Sequence, residues 1–169
     1  MPVARWRAPQ DVPKAKKGIV TDATQYGATC PQAISGTSFT QQDEDCLNLN
    51  IWAPSTSKKP RSPPSGHKPP KPPGHVVPKD GPPAGPKSSG SGFPVFVYMY
   101  GGAMVTGSNS NPTLQGNNFA RKGVIFVTFN TRESIYAYPN SAELEGSQNF
   151  GILDVDKALE WVHDNIAGK

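Results

Sequence analysis

Apolar and polar positions divide the chain into stretches that can build a core and one that cannot. Leu47, Leu49 and Ile51 alternate with Asn48, Asn50 and Trp52, the period-2 pattern of a strand with one face buried. The runs Val95-Phe96-Val97-Tyr98-Met99-Tyr100 and Val124-Ile125-Phe126-Val127-Thr128-Phe129 are continuously β-branched and aromatic, as strands covered on both faces of a largely parallel sheet should be. A Gly-rich loop and a short helix over Leu114 to Lys122, ended by Gly123, lie between them; this spacing suits a crossover connection. From Ile152 onward, Val155, Ala158, Leu159, Val162 and Ile166 recur at helical spacing, with Asp154 and Asp156 near the positive N-terminal end and Gly168 as the stop. Strand, helix, strand, helix predicts an α/β fold.

Residues 55–93 break this pattern. They hold 11 of the 19 prolines and 7 of the 17 Lys and Arg residues, against one acid, Asp80, and four apolar residues. Such a segment buries no core and reads as a disordered Pro/Lys/Gly-rich insert of PPII character within the domain. It carries +6 (7 minus 1) of a chain total of +4, which leaves −2 for everything else. The basic balance therefore belongs to the insert. Its cations are scattered among prolines with no aromatics between them, unlike a single-strand nucleic-acid groove, so no nucleic-acid partner is expected. Pro60-Arg61-Ser62-Pro63 and Pro69-Pro70-Lys71-Pro72 match the P-x-x-P pattern of SH3 and WW ligands, a match that is frequent in any Pro-rich tract.

The opening residues MPVARWRAPQ contain no apolar signal region, and Val95–Tyr100, the longest apolar run, is far too short to span a bilayer. Cys30 and Cys46 are the only cysteines, too few and too far apart for a zinc site, so no metal is expected. Two readings of them stand. They are either reduced, partly buried thiols, or a disulfide closing a loop of about 16 residues, which would stabilise the fold by roughly 3 kcal/mol and imply an oxidising compartment.

Three blocks occur in the order found in type-B carboxylesterases, the cholinesterase-like α/β-hydrolases, and the chain resembles that family through them. They are Glu44-Asp45-Cys46-Leu47-Asn48-Leu49-Asn50-Ile51, then Tyr100-Gly101-Gly102-Ala103, then Asn149-Phe150-Gly151-Ile152-Leu153-Asp154 leading into Trp161-Val162-His163-Asp164-Asn165-Ile166. Weaker support comes from Arg5-Trp6-Arg7-Ala8-Pro9-Gln10, from Tyr26-Gly27 before Cys30-Pro31-Gln32, and from Asn130-Thr131-Arg132. The resemblance implies that residues 1–169 form a partial α/β-hydrolase domain, a mostly parallel sheet with flanking helices, truncated before the nucleophile elbow. It implies that Gly101 permits a turn whose Gly102 and Ala103 N–H groups face the oxyanion of ester attack. It further implies a Cys30–Cys46 disulfide and two structural ion pairs, Arg5 with Glu44 and Arg132 with Asp154, both expected to be partly buried. The substrate would be a small-molecule carboxylic ester, no cofactor would be required because protein groups carry the chemistry, and the family and the cysteine pair together point to the secretory route.

The catalytic triad is what these residues do not supply. No serine has Gly at both −2 and +2, so the G-x-S-x-G elbow, and the acid and His that follow it in chain order, are missing. His67 and His75 lie in the insert, and His163 sits in a helical run that reads as structural. The strand at Val95–Tyr100 would then lack a neighbour on one side, leaving an apolar edge bare. Three functions from different classes remain open at this stage. The chain is a fragment of an ester hydrolase, inactive alone, or a catalytically dead cholinesterase-like binding module, or a Pro-rich interaction protein.

Overall fold

The computed structural model describes residues 5–12, 22–33, 40–55, 92–144, 146 and 148–166. The insert expected at 55–93, both P-x-x-P matches, His67 and His75 fall within or mostly within 56–91, outside the described residues. Three strands form one sheet: β1 (Leu49–Trp52), β2 (Val95–Tyr98) and β3 (Ile125–Phe129), in the order β1-β3-β2. Between β2 and β3 lie a 3₁₀ turn at Pro112–Leu114 and helix α1 (Asn117–Arg121). After β3 come a four-residue helix α2 (Ser134–Ala137) and the long α3 (Phe150–Asn165).

β2 runs parallel to β3, with Val95 opposite Ile125, as a crossover requires. β1 runs antiparallel to β3, with Trp52 opposite Phe126. The described sheet is therefore mixed. Register places Trp52, Phe126 and Phe96 side by side across the three strands, at centroid distances of 5.8 Å on each side of Phe126. Phe119 of α1 stacks on Phe126 at 4.6 Å and on Phe96 at 5.4 Å. These aromatic contacts seat the crossover helix on one face of the sheet, each contributing on the order of 1 kcal/mol beyond area burial.

Three expectations are corrected by this packing. In β1 the alternation holds, but the face covered by described residues is the polar one: Asn50 Nδ2 donates to Asn109 O at 3.1 Å, and Trp52 packs on Phe126, while Leu47 and Ile51 are exposed. Second, β3 is buried on both faces whereas β2 is not; Val95, Phe96 and Tyr98 are exposed, and β2 pairs only with β3 among the described residues. Third, α3 starts at Phe150, two residues before the apolar repeat, and buries Phe150, Gly151, Asp154 and Val162 while Leu159 is exposed. Asp154 thus serves a partner elsewhere in the chain rather than the N-terminal end of α3.

A disulfide joins the fully buried Cys30 and Cys46 across a separation of 16 residues. Three asparagines surround it. Asn48 Nδ2 donates to Ala28 O and Cys46 O, both at 2.9 Å, and Asn130 Nδ2 donates to the same two carbonyls at 2.9 and 3.1 Å. Asn109 donates its backbone N–H to Asn130 Oδ1 at 2.8 Å and its Nδ2 to Asn48 Oδ1 at 2.9 Å. The side chains thereby satisfy backbone carbonyls that irregular segments cannot pair for themselves. Replacing both cysteines by Ala is expected to lower the free energy of unfolding by roughly 3 kcal/mol, the loop-closure entropy of a ring this size. A urea midpoint that does not move would assign the constraint to the asparagines instead.

Candidate functional site

The loop Gly101–Gly107 leaves the C-terminal end of β2, and its shape follows from a few bonds. Val105 N and Thr106 N both donate to Gly102 O, at 3.1 and 3.2 Å, closing a tight turn. Two non-glycine residues inside it are left-handed, Ala103 at φ 55° and Met104 at φ 62°. Each such residue costs on the order of 1 kcal/mol or more and persists only when its surroundings impose it. A Cβ on Gly102 would drive into the Thr106 carbonyl oxygen, so the turn admits no side chain there. Gly107, at φ 143°, packs directly against the Tyr100 ring and fixes where the loop ends.

Both ends of the loop are anchored. Gln32 Oε1 accepts from Thr106 Oγ1 at 2.5 Å and from Gly107 N at 2.7 Å, while its Nε2 donates to Gly107 O at 2.8 Å and Cys30 O at 2.9 Å. The disulfide region and the loop are thereby one unit. On the other side Ser134 N donates to Met104 O at 2.9 Å. Among the described residues the N–H groups of Gly102 and Ala103 donate to no acceptor, and Ala103 is exposed.

Below the loop, Tyr100 is buried and its hydroxyl donates to Glu133 Oε1 at 2.9 Å; Thr131 Oγ1 donates to the same oxygen at 3.1 Å. Burial pushes the Glu133 carboxyl above the usual range, and burial followed by the nearby Glu133 charge pushes the Tyr100 hydroxyl up as well. A cavity of about 30 Å³, large enough for one water, lies among Tyr100, Gly102, Met104, Glu133, Tyr138 and Ile152.

The ion-pair residues lie in two places. Arg132 meets Asp154 through Nε at 2.9 Å and Nη2 at 2.7 Å, with the Asp154 side chain 1% exposed and that of Arg132 12% exposed. Arg5 also meets Glu44, and this contact, ahead of the charge itself, holds the Glu44 carboxyl below the usual range. The Arg5 side chain is 55% exposed and that of Glu44 24%, so the pair is half-buried on the Glu44 side only and solvent screens it far more than the Arg132–Asp154 pair. His163 is exposed on α3 and among the described residues pairs with its neighbour Asp164 alone, at 2.9 Å. It is not the structural residue that its helical setting suggested. No group of His, Cys, Asp and Glu that could hold a metal ion occurs among the described residues, and no helix among them is long and apolar enough to cross a membrane.

Reasoning from sequence singled out Gly101, Gly102 and Ala103 and did not single out Gln32, Glu133 or Ser134, which hold this loop in place. The signal for Gln32 was its place two residues after Cys30. Glu133 carries no signal short of the fold, because only the packing of 131–138 under the loop shows that it is buried.

A strand-turn with strained, open N–H groups at the C-terminal end of a parallel strand, on a mixed sheet with a crossover helix, is the α/β-hydrolase arrangement, here in part. The family model for the carboxylesterase family matches residues 2–168, and the chain belongs to that family. It is 32% identical over 174 residues to a para-nitrobenzyl esterase of Bacillus subtilis, covering 98% of this chain and 29% of that protein. It is 32% identical over 178 residues to a cholinesterase of Mus musculus, covering 96% of this chain and 24% of that one. The solved structure of a PNB esterase superposes with a TM-score of 0.68 at 30% identity, over 96% of this chain and 27% of that one. The chain therefore spans less than a third of the length of these relatives.

Proposed function

We propose that these residues are the oxyanion-hole part of a carboxylic ester hydrolase, with Gly102 and Ala103 as the donors; Gly101, expected to permit the turn, has no left-handed φ and a Cβ there would meet nothing within 4 Å, so the turn does not require glycine at that position. The observation that carries this reading is the pair of unpaired N–H groups on a loop whose left-handed Ala103 and Met104 hold it open. Donors fixed in advance in this way stabilise developing negative charge without reorganising during the reaction. The substrate class is a small-molecule carboxylic ester, in keeping with the esterase and cholinesterase names of the relatives.

On this reading the 169 residues do not hydrolyse esters by themselves, because no G-x-S-x-G is present among them to provide the nucleophile. The same reading takes 1–169 as one domain with 55–93 as an insert in its sequence. Trp52 and Val95 lie at the same end of the sheet, either side of β3, about 10 Å apart by strand spacing. That end is opposite the Gly101–Ala103 loop, so the insert leaves and re-enters away from the site. The test is turnover of a p-nitrophenyl acyl ester by the 169-residue chain and by a chimera in which it replaces the matching stretch of the Bacillus esterase. The chain alone should remain at the buffer rate, and the chimera, with or without residues 58–90, should turn over. A folded but inactive chimera would reject the proposal.

A further inference from the structure

We propose that Glu133 is a positioning residue for the Gly101–Ala103 loop, its carboxylate clamping Tyr100 just before the loop while the adjoining Ser134 N–H holds Met104 just after it. Two consecutive residues thus grip the loop from both sides. Glu133 Oε1 accepts from Tyr100 Oη at 2.9 Å, and Tyr100 Oη in turn accepts from Thr131 N at 3.3 Å. Ser134 N reaches Met104 O at 2.9 Å, and Ser134 adopts φ 53° to do so. Strain at a serine in this position, facing strain at Ala103 and Met104, marks a contact that the surrounding structure enforces. Trp6 Nε1 donates to Ile135 O at 3.0 Å and braces the gripping segment from behind.

A carboxylate is a costly choice for this position. Glu133 is 3% exposed and among the described residues touches no cation, since the neighbouring Arg132 is occupied by Asp154. The groups that face it are the Tyr100 and Tyr138 hydroxyls, the Thr131 hydroxyl and, from α3, the like charge of Asp154. An amide or an aliphatic side chain would fill the space without that cost. What the ionised carboxylate adds is a charge-assisted bond to Tyr100, shorter and stronger than a neutral one. By reciprocity, the Tyr100 contact lowers the Glu133 pKa against the larger raising effect of burial, so ionisation of Glu133 tightens its hold on Tyr100. The role assigned here rests on the oxyanion reading only for its catalytic consequence; the clamp itself does not.

Hydrogen exchange followed by mass spectrometry on the 169-residue chain, corrected for the intrinsic pH dependence of exchange, tests this between about pH 4 and pH 8. Opening that only parts Tyr100 from a still-buried Glu133 gives Val105, Thr106 and Gly107 amides, the hydrogen-bonded ones of the loop, whose protection rises roughly fivefold as Glu133 ionises. Opening that hydrates Glu133 gives the opposite sign, because a carboxyl whose pKa is raised by burial favours the closed form only while protonated. A rise that disappears in both Glu133→Gln and Tyr100→Phe, with β3 amides still protected in each, supports the clamp. Protection in the wild-type chain that is flat or falls with pH overturns it, as does a rise that survives Glu133→Gln. If the esterase chimera is inactive while this pH profile holds, the functional reading fails and the clamp stands. An active chimera without the profile means the reverse.

Discussion

Replacing Arg132 by Ala is expected to destabilise the chain by about 3–5 kcal/mol, the cost of leaving a buried carboxylate without its partner. Asp154 lies on α3 with its side chain 1% exposed, and it receives three bonds from one residue: Arg132 N at 3.0 Å, Nε at 2.9 Å and Nη2 at 2.7 Å. The same guanidinium lies 5.2 Å from the centre of the Phe150 ring, and its Nη1 donates to Arg7 O at 2.9 Å. One side chain therefore joins the segment after β3, the start of α3 and the N-terminal stretch. Arg132→Lys should recover little, since a point charge cannot make the forked contact and also reach Arg7. The double variant Arg132→Met/Asp154→Leu should be more stable than Arg132→Ala alone, because no uncompensated charge remains. Denaturant midpoints for the four chains decide the matter. A loss below 1 kcal/mol in Arg132→Ala would mean that water reaches Asp154 once the guanidinium is gone.

The contrast with Arg5 and Glu44 explains how far sequence could lead here. Both pairs follow from the same resemblance, and the sequence distinguishes them in no way, yet Arg132–Asp154 is buried while Arg5–Glu44 is half exposed. Burial depends on what covers a residue, which local pattern does not encode. The same limit applies to β1, where alternation gave the strand but not the face that the described residues cover, because Asn48 and Asn50 are drawn inward by carbonyls of the 28–46 and 109 regions. Continuous apolar runs located β2 and β3, and the crossover spacing gave their parallel pairing; the antiparallel placement of β1 has no local signature. The Gly-Gly-Ala motif was legible as a run of small residues after a strand, and Gly102 is the member at which backbone approaches backbone. Its supports, Gln32, Glu133 and Ser134, were not, since each acts across 30 to 75 residues of chain.

In the esterase chimera, Gly102→Ala is expected to lower kcat by roughly 10²–10³-fold with KM changed only a few-fold, the signature of losing an oxyanion donor. The reason is geometric. The added Cβ meets the Thr106 carbonyl oxygen, a backbone atom that cannot rotate away, while Thr106 and Gly107 are tied to Gln32 behind it. The loop must therefore shift at the Gly102–Ala103 peptide, and the two N–H groups turn with it. Ground-state binding depends on the rest of the pocket and is little affected. A comparison within the 169-residue chain separates this from general damage: a Cβ on Gly101 meets nothing within 4 Å, so Gly101→Ala should melt like the parent chain whereas Gly102→Ala should melt earlier. Should Gly102→Ala in the chimera raise KM and leave kcat intact, the loop would be contributing to substrate binding, and the charge of the transition state would have to be met by other donors.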